Sequence, residues 1–218
     1  MRARHLEELI QNYPALSSCE ASIDAAYELL LGCYRGGHKV LVCGNGGSAA
    51  DAQHIVGELM KGFLLNRPLE PALRERLLAV WPPDQRHQID ALQTPLPAIS
   101  LGSDLSLATA FANDVDPTLV FAQQLLGLGR PGDVLIAIST SGGSKNVLAA
   151  VHVARALGVK TIGLTGARGG ALKELCDVAI CVPAHETPRI QELHLPVYHA
   201  LCMALESALF GDDREPGA

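Results

Sequence analysis

Two short stretches of this chain share a composition that few architectures can use. "CGNGGS" at 43–48 and "STSGGS" at 139–144 each follow a run of apolar residues, and each precedes a helix-like pattern. Glycine lets the backbone turn sharply and approach a neighbour closely. Backbone N–H groups at a helix start favour an anion. A strand, a glycine turn and a helix, occurring twice, predict an α/β chain with a parallel sheet and helices on both faces. In such sheets ligands bind beyond the carboxyl ends of the strands. Ser139, Thr140, Ser141 and Ser144 then read as a hydroxyl cluster for a phosphate. The alternative is two tight turns with N-caps and no ligand. Neither loop carries the lysine of a nucleotide-hydrolysing P-loop, and neither is a dinucleotide fingerprint.

The rest of the chain follows the same alternation. Residues 3–35 read as helix, broken near Tyr13-Pro14 and stopped by Gly36-Gly37. Strands are predicted at 39–43, 98–101, 133–138, 160–164 and 177–182. Helices are predicted at 48–60 with Ser48 as N-cap, at 105–112, 118–126, from "STSGGSKN" to Leu157, up to Leu175, and at 189–210. The segment 65–96 is different: charged, proline-rich, holding the only tryptophan, and read as an excursion with a short helix at 70–79.

Bulk properties narrow the partners. Of 218 residues 48 % are apolar and only 18 % charged, which fits surface lost to a partner subunit. The net charge is −6 and no Lys/Arg cluster exceeds a pair, so nucleic acid is not expected. The N-terminus lacks an apolar signal core, and no run of about 18 apolar residues exists, so no membrane span is expected. Six scattered cysteines without CxxC spacing read as reduced core thiols of a cytoplasmic protein.

Titratable residues then stand out on two helices. His54 and Glu58 lie at i and i+4 and share a face, which suits a metal pair, an acid/base pair or an exposed polar stripe. "RIQELHLPVYHAL" sets Gln191, His194 and His199 among apolar residues, where a histidine satisfied by a backbone carbonyl is the plain reading. Gln191 and His199 are eight residues apart, about 12 Å along a helix. Spacing alone therefore supports a His54–Glu58 pair better than four ligands on one ion. Asn113 and Asp114, in "FANDVD", either cap the next helix or offer an amide and a carboxylate to a polyol.

Taken in order, "CGNGGSAADAQHIVGEL", "FANDV", "GDVLIAISTSGGSKNV", "TIGLTG" and "RIQELHLPVYH" resemble the SIS (sugar isomerase) fold. Within it they are similar to the sedoheptulose-7-phosphate isomerases, also called phosphoheptose isomerases. The resemblance covers nearly the whole chain. It implies an N-terminal helical assembly arm at 1–35, a SIS domain at 36–212 with an insertion at about 65–96, and a frayed tail at 213–218. It implies a homotetramer with active sites between subunits. It implies substrate contacts at Asn45, Gly46, Gly47, Ser48, Asn113, Asp114, Ser139, Thr140, Ser141, Ser144 and Gln191. It implies a Zn2+ held by His54, Glu58, Gln191 and His199, with Glu58 and His199 catalytic. The implied reaction takes sedoheptulose 7-phosphate to D-glycero-D-manno-heptose 7-phosphate through an enediol, for activated heptose. A carboxylate held tightly by zinc is a poorer base, so a loose ion, an alternating Glu58 and a partly structural zinc all stay open.

Two departures are visible. Pro188 stands where the family pattern can have an acidic residue, and the 65–96 excursion is longer than the core family has. Other readings are an isomerase of another sugar phosphate, a phosphosugar sensor without turnover, and the non-enzymatic SIS branch that binds the DnaA replication initiator. That branch lacks the His/Glu set, and here Glu58 and His199 are present.

Overall fold

The computed structural model describes residues 3–211, so the expected tail at 213–218 lies outside the described residues. The chain opens with α1 (Arg4–Asn12), which buries Leu6 and Leu9. Pro14 has no N–H to continue that helix. A 3-10 turn, Pro14–Cys19, follows and leads into α2 (Glu20–Arg35). This is the break predicted at Tyr13-Pro14.

Five parallel strands make the sheet: β1 (Val40–Cys43), β2 (Ala98–Ser100), β3 (Val134–Ile138), β4 (Lys160–Gly166) and β5 (Val178–Val182), in the order β2-β1-β3-β4-β5. The intervening helices are α3 (Gly47–Met60), α4 (Pro71–Val80), α5 (Leu105–Asp114), α6 (Val120–Leu128), α7 (Lys145–Leu157), α8 (Gly170–Leu175) and the closing α9 (Thr187–Phe210).

Alternation along each strand divides the core in two. Val40, Val42, Ile136 and Ile138 face one cluster with residues of α1, α2, α3 and α9. Leu41, Cys43, Leu135 and Ala137 face the other with α6, α7 and α8. Strands buried on both faces need near-continuous apolar runs, and this is why "VLVC" and "VLIAI" read as strands. α9 is the one described helix whose length and hydropathy alone would admit a membrane crossing, yet half of that stretch is buried inside the fold. His194 and Glu206 are both buried on it, so it serves as a core helix.

The excursion leaves and returns at one place. Thr94 N donates to Arg67 O at 2.7 Å and Thr94 Oγ1 to Pro68 O at 2.7 Å. Between those ends, α4 buries no residue, and a 3-10 segment, Pro83–Ala91, buries only Ile89. Its base is fixed by a buried ion pair, Arg67 Nε to Glu206 Oε1 at 2.7 Å. The Glu206 carboxylate also accepts from the backbone N–H groups of Phe63, Leu64 and Leu65, at 2.7–3.0 Å. The turn that ends α3 is thereby clamped to the C-terminal half of α9.

Candidate active site

The strand order reverses direction between β1 and β3: the chain passes from β1 to β2 on one side and from β3 to β4 on the other. Both glycine loops emerge at this switch point, where an open parallel sheet leaves a crevice. They are joined to each other. Asn45 Nδ2 donates to Asn146 Oδ1 at 2.9 Å, and Asn146 Nδ2 donates to Asn45 Oδ1 at 2.8 Å.

The first loop departs from its predicted capping. The sequence predicts Ser48 as the N-cap of α3, but the helix starts at Gly47 and Gly46 is the cap, with φ of 55°. A left-handed φ favours glycine, so the cap falls two residues before the predicted serine. Ser48 is instead buried in the first turn. A Cβ on Gly44 would lie 2.7 Å from Ser48 Cβ, so this glycine is needed for the close approach.

In the second loop the hydroxyls of Ser139, Ser141 and Ser144, three of the four residues in the predicted cluster, converge. Ser139 Oγ lies 2.9 Å from Ser144 Oγ and 3.5 Å from Ser141 Oγ. Ser141 Oγ accepts from Gly143 N at 3.2 Å. Gly142, with φ of 66°, is packed so closely on Gly169 of the β4–α8 turn that a Cβ would overlap its carbonyl. Thr140 contributes its backbone oxygen, which accepts from Gly166 N at 3.1 Å. A cleft of about 150 Å³ beside it is lined by Thr140, Ser141, Arg168, His185 and Thr187. A second cleft, of about 320 Å³, opens across the first loop between Asn45, Gln53, Thr109 and Asn146. A larger cavity, about 550 Å³, lies at the far end of α9 around Pro68 and Phe210 and carries no such cluster.

α3 and α9 run in the same direction side by side. Gln191, early in α9, lies against Gly47 at the start of α3, where a Cβ would overlap the glutamine amide. About two turns further along, His54 meets Tyr198 and His199. His54 Nε2 is 3.2 Å from Glu58 Oε1 and 3.4 Å from His199 Nε2. His54 Nδ1 is 3.0 Å from Tyr198 Oη, and Tyr198 donates to Asp51 Oδ1 at 3.3 Å. Lys61 Nζ reaches the other Glu58 oxygen at 2.8 Å. The structure thus brings His54, Glu58 and His199 together. Gln191 lies two turns earlier on the continuous α9, about 12 Å along its axis from His199. Among the described residues, no group of three or more His, Cys, Asp or Glu side chains forms a ready metal cage.

Electrostatics set the protonation of these groups. Burial pushes Glu58 up, but the Lys61 hydrogen bond and charge, with His54, outweigh it and hold the carboxyl below the ordinary range. Burial, helped by the His54 charge, pulls His199 below the ordinary imidazole range while Glu58 opposes. Burial likewise raises the Asp51 carboxyl and the Tyr198 hydroxyl. His194 is a core histidine bonded to a backbone carbonyl, as the apolar helix predicts: its Nε2 is 3.3 Å from Thr165 O, its Nδ1 is buried without a partner among the described residues, and burial lowers it to about 4.

Asn113 and Asp114 end α5 in solvent, paired to each other at 2.9 Å. Of the two readings left open, capping is excluded: the following turn is capped by Asp116, whose Oδ1 accepts from Thr118 N and Oγ1 at 2.7 Å each. Asn146, Asp51, Tyr198 and Lys61 are absent from the sequence-based site. Lys61, three residues after Glu58, and Asp51, three residues before His54, had a local signal. Pro188 occupies the first turn of α9, where its missing N–H costs no helical bond.

Comparison with known proteins identifies the family. SIS domain models match residues 7–78 and 103–209. The chain is 45 % identical to a phosphoheptose isomerase of Geotalea daltonii, over 88 % of this chain and 86 % of that one. It is 37 % identical to a phosphoheptose isomerase of Akkermansia muciniphila, over 93 % and 94 %. The solved phosphoheptose isomerase of Francisella tularensis superposes with a TM-score of 0.74 at 34 % identity, covering 92 % of this chain and 94 % of that one.

Proposed function

The chain belongs to the phosphoheptose isomerase family, and from that premise we propose that it converts sedoheptulose 7-phosphate to D-glycero-D-manno-heptose 7-phosphate. The observation that carries the mechanism is the convergence of His54, Glu58 and His199 on one edge of the α3–α9 pair. An aldose–ketose isomerase must move a proton between C1 and C2. Glu58, held ionised by Lys61, takes the proton from C1 of the ketose as the general base. His199 gives a proton to O2, which completes the enediol, and takes the O1 proton as the aldehyde forms. The proton returned to C2 completes the aldose. The phosphate is held by the hydroxyls of Ser139, Ser141 and Ser144 and by loop N–H groups, with Thr140 beside them. Asn45, Gly46, Gly47 and Ser48 line the sugar chain, Gln191 contacts it from the start of α9, and Asn113 and Asp114 offer polar contacts to its hydroxyls. Anchoring both ends gives the orientation that a proton transfer needs.

Imidazole nitrogens and a carboxylate are ligand types that zinc takes, and His54 Nε2 lies 3.2 Å from Glu58 Oε1 and 3.4 Å from His199 Nε2. His54, His199 and Glu58 would hold it, and Gln191, the fourth member implied by the family, is assigned here to the substrate. When bound, the ion supplies Lewis acidity to the carbonyl and enediolate oxygens.

We also read the protein as a cytoplasmic homotetramer with sites between subunits. What supports the assembly is apolar side chains left in solvent on 105–128, Leu105 and Val115 above all. The test is NMR of sedoheptulose 7-phosphate with the protein in D2O, with and without Zn2+. A new aldoheptose phosphate with deuterium at C2 is expected. No conversion under either condition, with turnover of a five- or six-carbon ketose phosphate instead, would replace the substrate; no turnover of any would remove the isomerase.

A further inference from the structure

The hydroxyls of Ser139, Ser141 and Ser144 and the N–H groups of their loop are neutral, yet the group assigned to them carries about two negative charges at neutral pH. A hydrogen bond to a charged donor is roughly twice as strong as a neutral one, so a cation beside the loop would matter. Residues 139–144 include no Lys or Arg, and Lys145, which follows, does not line the cleft of about 150 Å³ that opens on this loop. Of the residues that do line it, Arg168 is the one permanent cation, and none is a carboxylate. His185 and Thr187 add a ring N–H and a hydroxyl.

The place of Arg168 is fixed by backbone. Gly166 N donates to Thr140 O at 3.1 Å, Leu172 N to Gly142 O at 3.0 Å, and Ala167 N to Ala184 O at 2.9 Å. Gly142 and Gly170 both have positive φ, and a Cβ on either would overlap the facing backbone. The β4–α8 turn is therefore locked against the phosphate loop on one side and the β5–α9 turn on the other. Arg168 stands between Ala167, bonded as above, and Gly169, whose N–H donates to Gly166 O at 2.9 Å. Its side chain is exposed and makes no hydrogen bond or ion pair among the described residues. A guanidinium on an anchored backbone is thus left free at the rim of the hydroxyl cluster. Ser141 belongs both to that cluster and to the cleft. Two phosphate groups sharing one serine would repel each other, so a single anion has to serve both.

We propose that Arg168 binds the phosphate of the substrate, its guanidinium taking oxygens that the serine hydroxyls leave free. The planar fork of donors on an arginine matches phosphate geometry. The proposal deepens the sugar-phosphate reading of this site and rests on it, but its first test needs no turnover. Inorganic phosphate is titrated into wild type, Arg168→Gln, Arg168→Lys and Lys145→Gln and followed by 31P NMR. Arg168→Gln is expected to weaken binding about ten-fold, the scale of one hydrogen bond to a charged group. Arg168→Lys, which keeps the charge and loses the fork, should weaken it less. Lys145→Gln should change it by less than about two-fold, because a solvent-screened charge outside the cleft contributes little. In steady-state kinetics with sedoheptulose 7-phosphate, Arg168→Gln should raise KM more than it lowers kcat, and inorganic phosphate should compete with the sugar phosphate. Phosphate affinity unchanged in Arg168→Gln overturns the proposal. So does an equal loss in Lys145→Gln, which would reduce the effect to long-range charge. Phosphate that depends on Arg168 yet does not compete with substrate overturns it too, by making the cleft a separate anion site. If the wild type turns over no sedoheptulose 7-phosphate, the substrate in the proposed function is lost, while the phosphate titration still shows whether Arg168 holds the anion.

Discussion

The side-chain amides of Asn45 and Asn146 clasp each other reciprocally, 2.9 and 2.8 Å apart, across the crevice between β1 and β3. One comes from the first glycine loop and the other from the first turn of α7 behind the second. The pair ties the sugar-facing loop to the phosphate-facing loop. Asn146 Oδ1 also accepts from Val147 N at 3.0 Å, which holds the amide in place. A net contribution of about 1 kcal/mol per hydrogen bond corresponds to roughly five-fold in an equilibrium. Asn146→Ala is expected to raise KM for the sugar phosphate about three- to ten-fold with a smaller change in kcat. Steady-state kinetics decide it, and an unchanged KM would mean that the loops hold their spacing without the clasp.

Glu58→Gln and His199→Ala remove the proposed base and its partner while leaving α3 and α9 packed through Ile55, Leu59, Val197 and Leu201. Each is expected to lower kcat by at least about 100-fold, the contribution of a positioned acid or base. Light scattering should find the assembly state unchanged. Retained turnover in either variant would take that residue out of the mechanism.

The Arg67–Glu206 pair concerns stability rather than chemistry. Both side chains are essentially unexposed, and the carboxylate also holds three backbone N–H groups. Glu206→Ala strands the guanidinium in the core. Removing one partner of such a pair costs about 3–5 kcal/mol. Urea denaturation followed by circular dichroism should register a loss of this size, and a loss below about 1 kcal/mol would mean that water reaches Arg67.

His194 predicts a pH dependence. Its folded-state value lies near 4, below the ordinary 6.5, because burial outweighs the Thr165 carbonyl. A depressed histidine stays neutral in the fold while the unfolded chain takes up a proton. Its cost is therefore absent above about pH 6.5 and grows as pH falls toward 4, to at most about 3 kcal/mol at 1.36 kcal/mol per unit. Glu206, depressed by its backbone and Arg67 partners against burial, adds loss only below the ordinary carboxylate value of 4.5. Urea midpoints between pH 7 and 5 read His194 together with His199, which is depressed in the same direction. His194→Gln should flatten that slope, and an equal slope in both proteins would assign it elsewhere.

Much of this protein was legible in local sequence, for a physical reason. Strand runs, glycine turns and the Pro14 break are dictated by residues within a few positions of one another, and so is the Ser139–Ser144 hydroxyl cluster. Where local logic failed, a competing local choice won: Gly46 with its positive φ displaced Ser48 as the cap, and Asp116 did the capping open to Asn113 and Asp114. Spacing also placed His54 and Glu58 on one face. It could not bring His199 to them across 145 positions. The strand order that sets both loops at one crevice, the Asn45–Asn146 clasp, the Tyr198–His54 contact and the buried Arg67–Glu206 pair all depend on which elements pack together. Burial of apolar faces decides that globally, and a polar residue learns its partner only after the faces have closed.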